Sequence, residues 1–329
     1  MAGVQGSALA IAVSEAGGLG SLPCAMLDAE GMRTEMAAIG SGTAKPFNVN
    51  FFCHAPPVFD GGLDRRWRDA LAPYYEEFGI EPAAIAAGPG RAPFDAKAAD
   101  VLDECRPAVV SFHFGLPSPQ LLSRAKACGA RILSSATTIE EALWLEARGV
   151  DAVIAQGLEA GGHRGHFLSG DPARQMGTFA LLPQIVRAVR IPVIAAGGIV
   201  DAAGVAAAMA LGAAGVQVGT AYLLCHEATT RAVHRAALAG EASRHTALTN
   251  LFSGGLARGI VNRIMREIGP VSSAVPAFPL AAAAIAPLRA RAESEGSGDF
   301  SPLWAGQNTS GCKAIPAARL TRELAAGLC

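Results

Sequence analysis

The fold follows from one stretch of sequence, Ala152-Val153-Ile154-Ala155-Gln156-Gly157-Leu158-Glu159-Ala160-Gly161-Gly162-His163. It begins as a run of apolar and β-branched residues and changes at Gln156 into a glycine-rich loop that ends in a histidine. A strand that is apolar on both faces is typical of a parallel sheet covered by helices. We therefore predict a buried parallel strand that delivers Gln156 and His163 to its carboxyl end.

The same pattern recurs along the first two thirds of the chain. Helical stretches separate the strands, and Asp201 is a candidate N-cap residue for the helix that runs to Leu211. Repeated β-α units build either a doubly wound sheet or a closed barrel. The other predicted strands are Leu19–Cys24, Phe47–Phe52, Ala108–Phe114, Arg131–Ser135, Pro192–Ala196 and Gly215–Gly219, and the clearest helices are Thr138–Arg148, Phe179–Val189 and Asp201–Leu211.

Polar and glycine residues at the strand ends favour the barrel. In a β/α barrel, all carboxyl ends of the strands converge on one face, where active sites are built. A Rossmann sheet would need a GxGxxG motif at its first crossing, and the sequence contains neither that motif nor a GxxxxGK[ST]. We therefore predict an α/β fold of the TIM-type (β/α)8 barrel class. The residues at or just after the strand ends are Asn50, His113, Ser135, Gln156, Gly197 and Thr220.

Only seven strands can be counted, whereas a barrel needs eight. The first helix, around Ser7 to Glu15, begins almost at Met1, so we expect a first strand that is truncated in this sequence and encoded further upstream. We divide the chain into a barrel at 1–224 with an insertion at 56–93, a mainly helical cap at 225–300, and a segment at 301–329 that returns to the barrel.

Composition limits the possible partners. The net charge is −1, which leaves no basic surplus for a nucleic acid. The seven cysteines contain no CxxC pair, and no signal peptide opens the chain, so a reducing cytoplasm fits best. The longest apolar stretch, Ala274 to Leu288, holds prolines and is too short to span a bilayer. We expect a cytoplasmic monomer or homodimer with a small-molecule substrate and no membrane or nucleic-acid partner.

The loop after Gln156 is the strongest chemical signal. Gly161 and Gly162 let the backbone approach a flat ring closely, and a Gln side chain both donates and accepts hydrogen bonds. His163 then reaches the catalytic face. The alternative is a flexible loop with a surface histidine.

A second signal lies after the last two strands, the usual phosphate site of such barrels. Backbone N–H groups at Gly197 and Gly198 can bind a dianion without a lysine. The backbone N–H groups of the run Gln217-Val218-Gly219-Thr220 can bind a dianion in the same way. The alternative is that both clusters only make tight turns.

His113 and Asn50 are weaker candidates. The alternating strand around Ser111-Phe112-His113 directs His113 into the pocket, although a single strand histidine is often a hydrogen-bonded core residue. Asn50 could equally be a turn residue that ends a strand. No HxH, HExxH or carboxylate cluster suggests a metal site.

Taken together, several segments resemble the nitronate monooxygenase family, also called 2-nitropropane dioxygenases. They occur in the family's order along almost the whole chain. The segments are Met1 to Val4, Ala16 to Gly20, Asn48 to Phe51, Ser111 to Gly115, Gln156 to Gly165, Gly177 to Pro183, Ala195 to Ile199, Gly215 to Thr220, Ala257-Arg258, Val261-Asn262 and Leu303 to Gln307.

The resemblance implies an FMN-dependent enzyme that uses O2 to convert alkyl nitronates, and possibly nitroalkanes, into carbonyl compounds and nitrite. It implies that Asn50, Gln156 and Gly161 contact the flavin, and that Gly198 and Gln217 to Thr220 hold its phosphate end. His163 would be the catalytic base, and His113 would line the substrate pocket. The family's first strand, which ends in Ala-Pro-Met, is absent except for Met1. In the cap, Ala281 to Ala284 stand where some members carry tyrosine or lysine.

Two alternatives remain open at the level of sequence. Relatives with the same glycine-rich loop are NAD(P)H-dependent FMN reductases that act on quinones or enoyl thioesters, and bleaching of the flavin by NAD(P)H would identify them. A protein that binds flavin or phosphate without turnover is the other alternative. A non-flavin barrel of the aldolase type lacks support, because no strand end presents a Schiff-base lysine.

Overall fold

The computed structural model describes residues 1–82, 85 and 91–328. A seven-stranded parallel sheet forms the centre of the fold, and its strands are hydrogen-bonded in chain order, which confirms the predicted strands and the barrel architecture. Helices surround the sheet, as the apolar strands predicted. The strands are β1 (Gly20–Pro23), β2 (Phe47–Phe52), β3 (Val109–His113), β4 (Arg131–Ala136), β5 (Ala152–Gln156), β7 (Val193–Ala196) and β8 (Gly215–Gln217), with the short β6 (Gly162–His163) outside this sheet.

The helices begin where the sequence supplies capping residues. Asp201 accepts a hydrogen bond from the backbone N–H of Gly204 at 2.8 Å, as its position predicted. Thr138 caps the helix after β4 in the same way, because its side chain accepts a hydrogen bond from the backbone N–H of Glu141. The α-helices are α1 (Ser7–Glu15), α2 (Ala29–Gly42), α3 (Gly61–Glu77), α4 (Ala96–Cys105), α5 (Pro119–Ala127), α6 (Ile139–Glu146), α7 (Thr178–Ala188), α8 (Ala202–Ala210), α9 (Ala232–Ala239), α10 (Arg263–Glu267), α11 (Ala282–Ser294) and α12 (Ala317–Ala325).

Strands β1 and β8 are the two edges of the parallel sheet. Residues 1–5 have hydrogen bonds to β1 and to the chain after β8. The side-chain amide of Gln5 donates to the backbone carbonyl of Ser21 on β1, and the carbonyl of Val4 accepts from the N–H of Thr229 at 2.9 Å. The N-terminal segment is therefore bound to β1 and to the chain that follows β8, and residues 1–5 form no strand.

The insertion and the cap share a second hydrophobic core. Trp67 of α3 is fully buried and donates from Nε1 to the carbonyl of Ala281 at 3.2 Å. The hydroxyl of Tyr75 donates to the carbonyl of Ala284 at 2.6 Å. The insertion at 56–93 therefore packs against α11 as part of the cap. Residues 83, 84 and 86–90 of that insertion lie outside the described residues.

The segment from Cys225 to Phe300, predicted to be mainly helical, also contains two strands that the sequence analysis missed. They are β9 (Thr246–Thr249) and β10 (Ala257–Ile260), and β10 pairs with both β9 and β6 in an antiparallel sheet. Each has only four residues, and β10 includes an arginine and a glycine, so neither shows a clear apolar alternation. This ribbon attaches the His163 loop to the cap.

None of the helices in the described ranges is long and apolar enough to cross a membrane.

Candidate active site

A cavity of about 610 Å³ lies over the carboxyl ends of the parallel strands. Its volume is within the usual range for cofactor and substrate sites. Its lining includes every residue that the sequence analysis named for the site, so the predicted convergence of the strand ends is present in the fold. These residues are Asn50, His113, Gln156, Gly161, Gly162, His163, Gly197, Gly198, Gln217, Val218, Gly219 and Thr220.

The His163 side chain lies among aromatic rings. Its ring centroid is 5.0 Å from that of Phe278 and 5.5 Å from that of Trp304. Its Nε2 atom is 2.8 Å from the hydroxyl of Ser253 in the cap. Burial, followed by the positive charge of Arg91, holds the pKa of His163 well below its usual value, so the imidazole is neutral at pH 7.

The backbone carbonyl of His163 is fixed by two side chains. It accepts from Nε2 of His113 at 3.1 Å and from Nε2 of Gln156 at 2.9 Å. The Oε1 atom of Gln156 accepts from the N–H of Gly165 at 2.7 Å. Both polar atoms of the Gln156 side chain thus hold the loop in place, a role that the sequence analysis did not anticipate for this residue.

The tautomer of His113 follows from its partners. A carbonyl oxygen only accepts, so Nε2 of His113 carries the hydrogen, and Nδ1 accepts from the hydroxyl of Ser135 at 3.0 Å. Burial lowers the pKa of His113 to about 4. His113 is therefore a neutral, fully hydrogen-bonded residue, and it positions the loop that carries His163.

Arg164 supports the same loop from beneath. Its side chain is fully buried and donates to Oε1 of Gln175 at 2.7 Å and to the carbonyls of Gln156 and Gly157 at 2.8 and 2.7 Å. At Gly161, a Cβ atom would lie 2.5 Å from the backbone nitrogen of Gly306. Gly161 must therefore be a glycine because the C-terminal segment packs against it.

The opposite end of the cavity is built from two turns. Gly197 and Gly198 have φ values of 123° and 74°, which favour glycine. Within the described residues, the N–H groups of Gly198, Val218 and Gly219 donate to no protein acceptor. Free N–H groups that neighbouring turns present to one cavity are suited to bind an anion. The C-terminal segment closes this end, since Asn308 donates to the carbonyl of Gly198 at 3.1 Å and Gly306 donates to the hydroxyl of Thr220 at 2.9 Å.

Asn50 and Asn48 lie on the inner face of β2. The side-chain amide of Asn50 donates to the hydroxyl of Ser111 at 2.8 Å, and Asn48 donates to the same hydroxyl at 2.8 Å. The Oδ1 atom of Asn48 is buried and has no hydrogen-bond partner among the described residues. A buried acceptor without a partner costs free energy, and a ligand that donates a hydrogen bond would satisfy it.

The surroundings of His163 also include four residues that were not among the predicted site residues: Phe52, Phe114, Ser253 and Arg91. The alternation along β2 could have indicated Phe52, because it shares the face of Asn50. Phe114 has a φ of 67°, and strain of this kind in a non-glycine residue is common at functional sites. Arg91 and Ser253 lie outside the β-α repeat, where no periodicity marks them.

A β/α barrel with a histidine, glycine turns with free N–H groups and a cofactor-sized cavity on its carboxyl face has the arrangement of barrel enzymes that bind a phosphorylated cofactor or substrate. The family model for nitronate monooxygenase matches residues 1–327. The chain belongs to this family of flavin-dependent enzymes.

Individual relatives agree with this assignment. The chain is 44% identical to a nitronate monooxygenase of Paraburkholderia phytofirmans over 98% of this chain and 89% of that protein. It is 43% identical to one of Pseudomonas aeruginosa, covering 98% of this chain and 93% of that protein. The structure of nitroalkane oxidase from Streptomyces ansochromogenes superposes with a TM-score of 0.89 at 38% identity, covering all of this chain and 93% of that one. FabK from Thermotoga maritima superposes with a TM-score of 0.73 at 28% identity, over 98% of this chain and 89% of that one.

Proposed function

We propose that this chain is an FMN-dependent monooxygenase that oxidises alkyl nitronates, and nitroalkanes after deprotonation, to carbonyl compounds and nitrite with consumption of O2. The observation that carries the proposal is the neutral imidazole of His163, held over a cavity whose far end is an anion-binding turn. The family membership and the likeness to nitroalkane oxidase support it.

The residues of the cavity fit an FMN group. The free N–H groups of Gly198, Val218 and Gly219 suit its phosphate, and the unsatisfied Oδ1 of Asn48 suits a donor on the ligand. A bound flavin would supply the redox chemistry, which is the transfer of electrons between substrate and O2. Asn50, Gly161, Gly162, Gly197, Gln217 and Thr220 complete the lining that would hold it.

His163 would act as the base through Nδ1. The hydroxyl of Ser253 lies 3.4 Å from the carbonyl of Gly255 and donates its hydrogen there, so it accepts from Nε2–H of His163. The lone pair then resides on Nδ1, which has no hydrogen-bond partner in the described part of the chain. For a neutral nitroalkane, Nδ1 removes the proton from the carbon next to the nitro group. A nitronate has already lost this proton and does not need the step.

The aromatic rings around His163 exclude water from the reacting groups. Phe52 and Phe114 pack at a centroid distance of 5.1 Å, and Phe278 lies 5.3 Å from Phe114. Exclusion of water strengthens every electrostatic interaction inside the site. These rings would therefore strengthen the attraction between the protonated imidazole and the nitronate anion that proton transfer creates beside it.

The test is the visible spectrum of the purified flavoprotein under anaerobic conditions. Addition of ethyl nitronate should bleach the flavin, while NADH should leave it oxidised. Nitrite should then appear when air is admitted. Bleaching by NADH and not by ethyl nitronate would instead identify an NAD(P)H-dependent reductase. A bound flavin that responds to neither would identify a binding protein without turnover.

A further inference from the structure

Arg91 has an unusual position among the charged residues of the protein. It lines the cavity, and its Nη1 atom is buried without a hydrogen-bond partner among the described residues. No ion pair to Arg91 occurs in that part of the chain, and none of the residues outside it has an acidic side chain. Among the described lining residues, it is the only Lys or Arg side chain.

The guanidinium lies close to the reacting end of the cavity. Its Cζ atom is 5.8 Å from the ring centroid of Phe278, and the ring of His163 is 5.0 Å from the same centroid. The backbone of Arg91 is anchored beside the site, because its carbonyl accepts from Nε2 of His54 at 2.9 Å. Phe278 is therefore a wall shared by Arg91, His163 and His54.

Among the residues that the structure describes, no group near Arg91 neutralises its charge. Burial lowers the pKa values of His54, His113 and His163, so all three rings are neutral at pH 7. The only carboxylate in the described lining, that of Glu159, accepts from the N–H and the hydroxyl of Thr178 at 2.8 Å each. As far as the described residues go, the reacting end of the cavity thus carries a positive charge without a counter-ion.

A charged group with a buried, unpaired donor atom is unfavourable in the free protein, and a ligand that accepts from that donor removes the penalty. A guanidinium presents a planar fork of donors that matches a planar group with two oxygens. The nitronate group is an anion of this shape, whereas a nitroalkane has the same two oxygens without the net charge.

We propose that Arg91 binds the two oxygens of the substrate's nitronate group and makes this site selective for the anionic nitronate over the neutral nitroalkane. The inference rests on the proposed function and assigns the recognition of substrate charge to a residue of the insertion. His163 then removes the proton of a nitroalkane, and Arg91 binds the anionic nitronate group.

The experiment uses nitrate, a planar anion that cannot be oxidised, as the binding probe. Nitrate is titrated calorimetrically into the flavin-loaded wild type and into Arg91→Met, Arg91→Lys and Arg65→Gln. Loss of a charge-assisted pair should weaken nitrate binding about 10- to 100-fold in Arg91→Met. Arg91→Lys should retain part of the affinity. Arg65→Gln, an exposed control in the same insertion, should bind nitrate as the wild type does.

Kinetics and stability complete the test. Arg91→Met should raise the KM for ethyl nitronate by a similar factor and change the KM for nitroethane little. Its melting temperature should not fall, because the buried Nη1 atom has no partner to lose. Equal nitrate affinity in wild type and Arg91→Met, or no nitrate binding at all, would overturn the inference, as would a large loss of stability. Nitrate binding needs no turnover, so an Arg91-dependent nitrate site in a protein that does not oxidise nitronates would refute only the proposed function.

Discussion

The Nε2 atom of His113 lies 3.1 Å from the backbone carbonyl oxygen of His163, so one of the two candidate histidines holds the other in place. His113 uses its second nitrogen on Ser135, which leaves it no free atom for proton transfer. The two residues therefore have different roles: His163 presents a free nitrogen to the cavity, and His113 positions the loop that carries it.

This relationship predicts how His113 variants behave. His113→Phe removes the donor to the His163 carbonyl, and a displacement of about 1 Å at a catalytic group can cost 10²-fold in rate. We expect kcat with nitroethane to fall by about 10- to 100-fold. In His113→Gln, the side-chain amide can donate from nearly the same point as Nε2 and should recover much of the loss. Steady-state kinetics of the two variants would decide, and equal losses would contradict a positioning role.

His163→Ala removes the proposed base. Loss of a general base costs about 10²- to 10⁴-fold, and we expect this loss in kcat/KM with neutral nitroethane. Preformed ethyl nitronate has already lost its proton, so the same variant should lose far less activity with it. The measurement is nitrite release from each substrate. Equal losses on both substrates would rule out His163 as the base.

Gly198→Leu tests the phosphate end of the cavity. Gly198 has a φ of 74°, and a side chain there would strain the turn whose N–H groups are free for an anion. We expect the variant to purify without its yellow flavin. The matched control is Gly296→Leu, because Gly296 has a φ of 78° at an exposed site beyond α11. Full flavin content in Gly198→Leu would place the phosphate elsewhere.

The sequence predicted the barrel well because its signals are local. Each parallel strand is a short apolar run, and each run ends at a polar or glycine residue, as in Ala152–Gln156. The edge strands and the intervening helices differ from their predicted bounds by one or two residues, which is the usual uncertainty of helix and strand ends. Strand ends in a parallel barrel converge by geometry, so the predicted site residues share one cavity.

The remaining parts depend on contacts between distant segments. Arg91 and Ser253 approach His163 only because the insertion and the cap fold over the barrel, and neither belongs to a repeating pattern. The strand β6 has two residues and exists because β10 pairs with it, so no window of sequence shows it. The engagement of both Gln156 side-chain atoms with the loop backbone likewise depends on the folded loop.

We expect the protein to lose stability in acid through one buried histidine. His234 is a buried residue of α9, and burial lowers its pKa from 6.5 to about 4. Between these values the unfolded chain binds a proton that the folded chain does not, so the free energy of unfolding falls as the pH falls from about 6.5 to 4. The slope of the free energy of unfolding against pH reaches at most about 1.4 kcal/mol per pH unit for one such group.

Urea unfolding of wild type and His234→Leu at pH 7.5, 6 and 5 isolates this contribution, because the carboxylates common to both proteins cancel in the difference. We expect the stability of the variant to depend less on pH than that of the wild type, so the two should converge or cross on acidification. Parallel pH profiles would show that His234 is protonated in the folded protein as readily as in the unfolded chain.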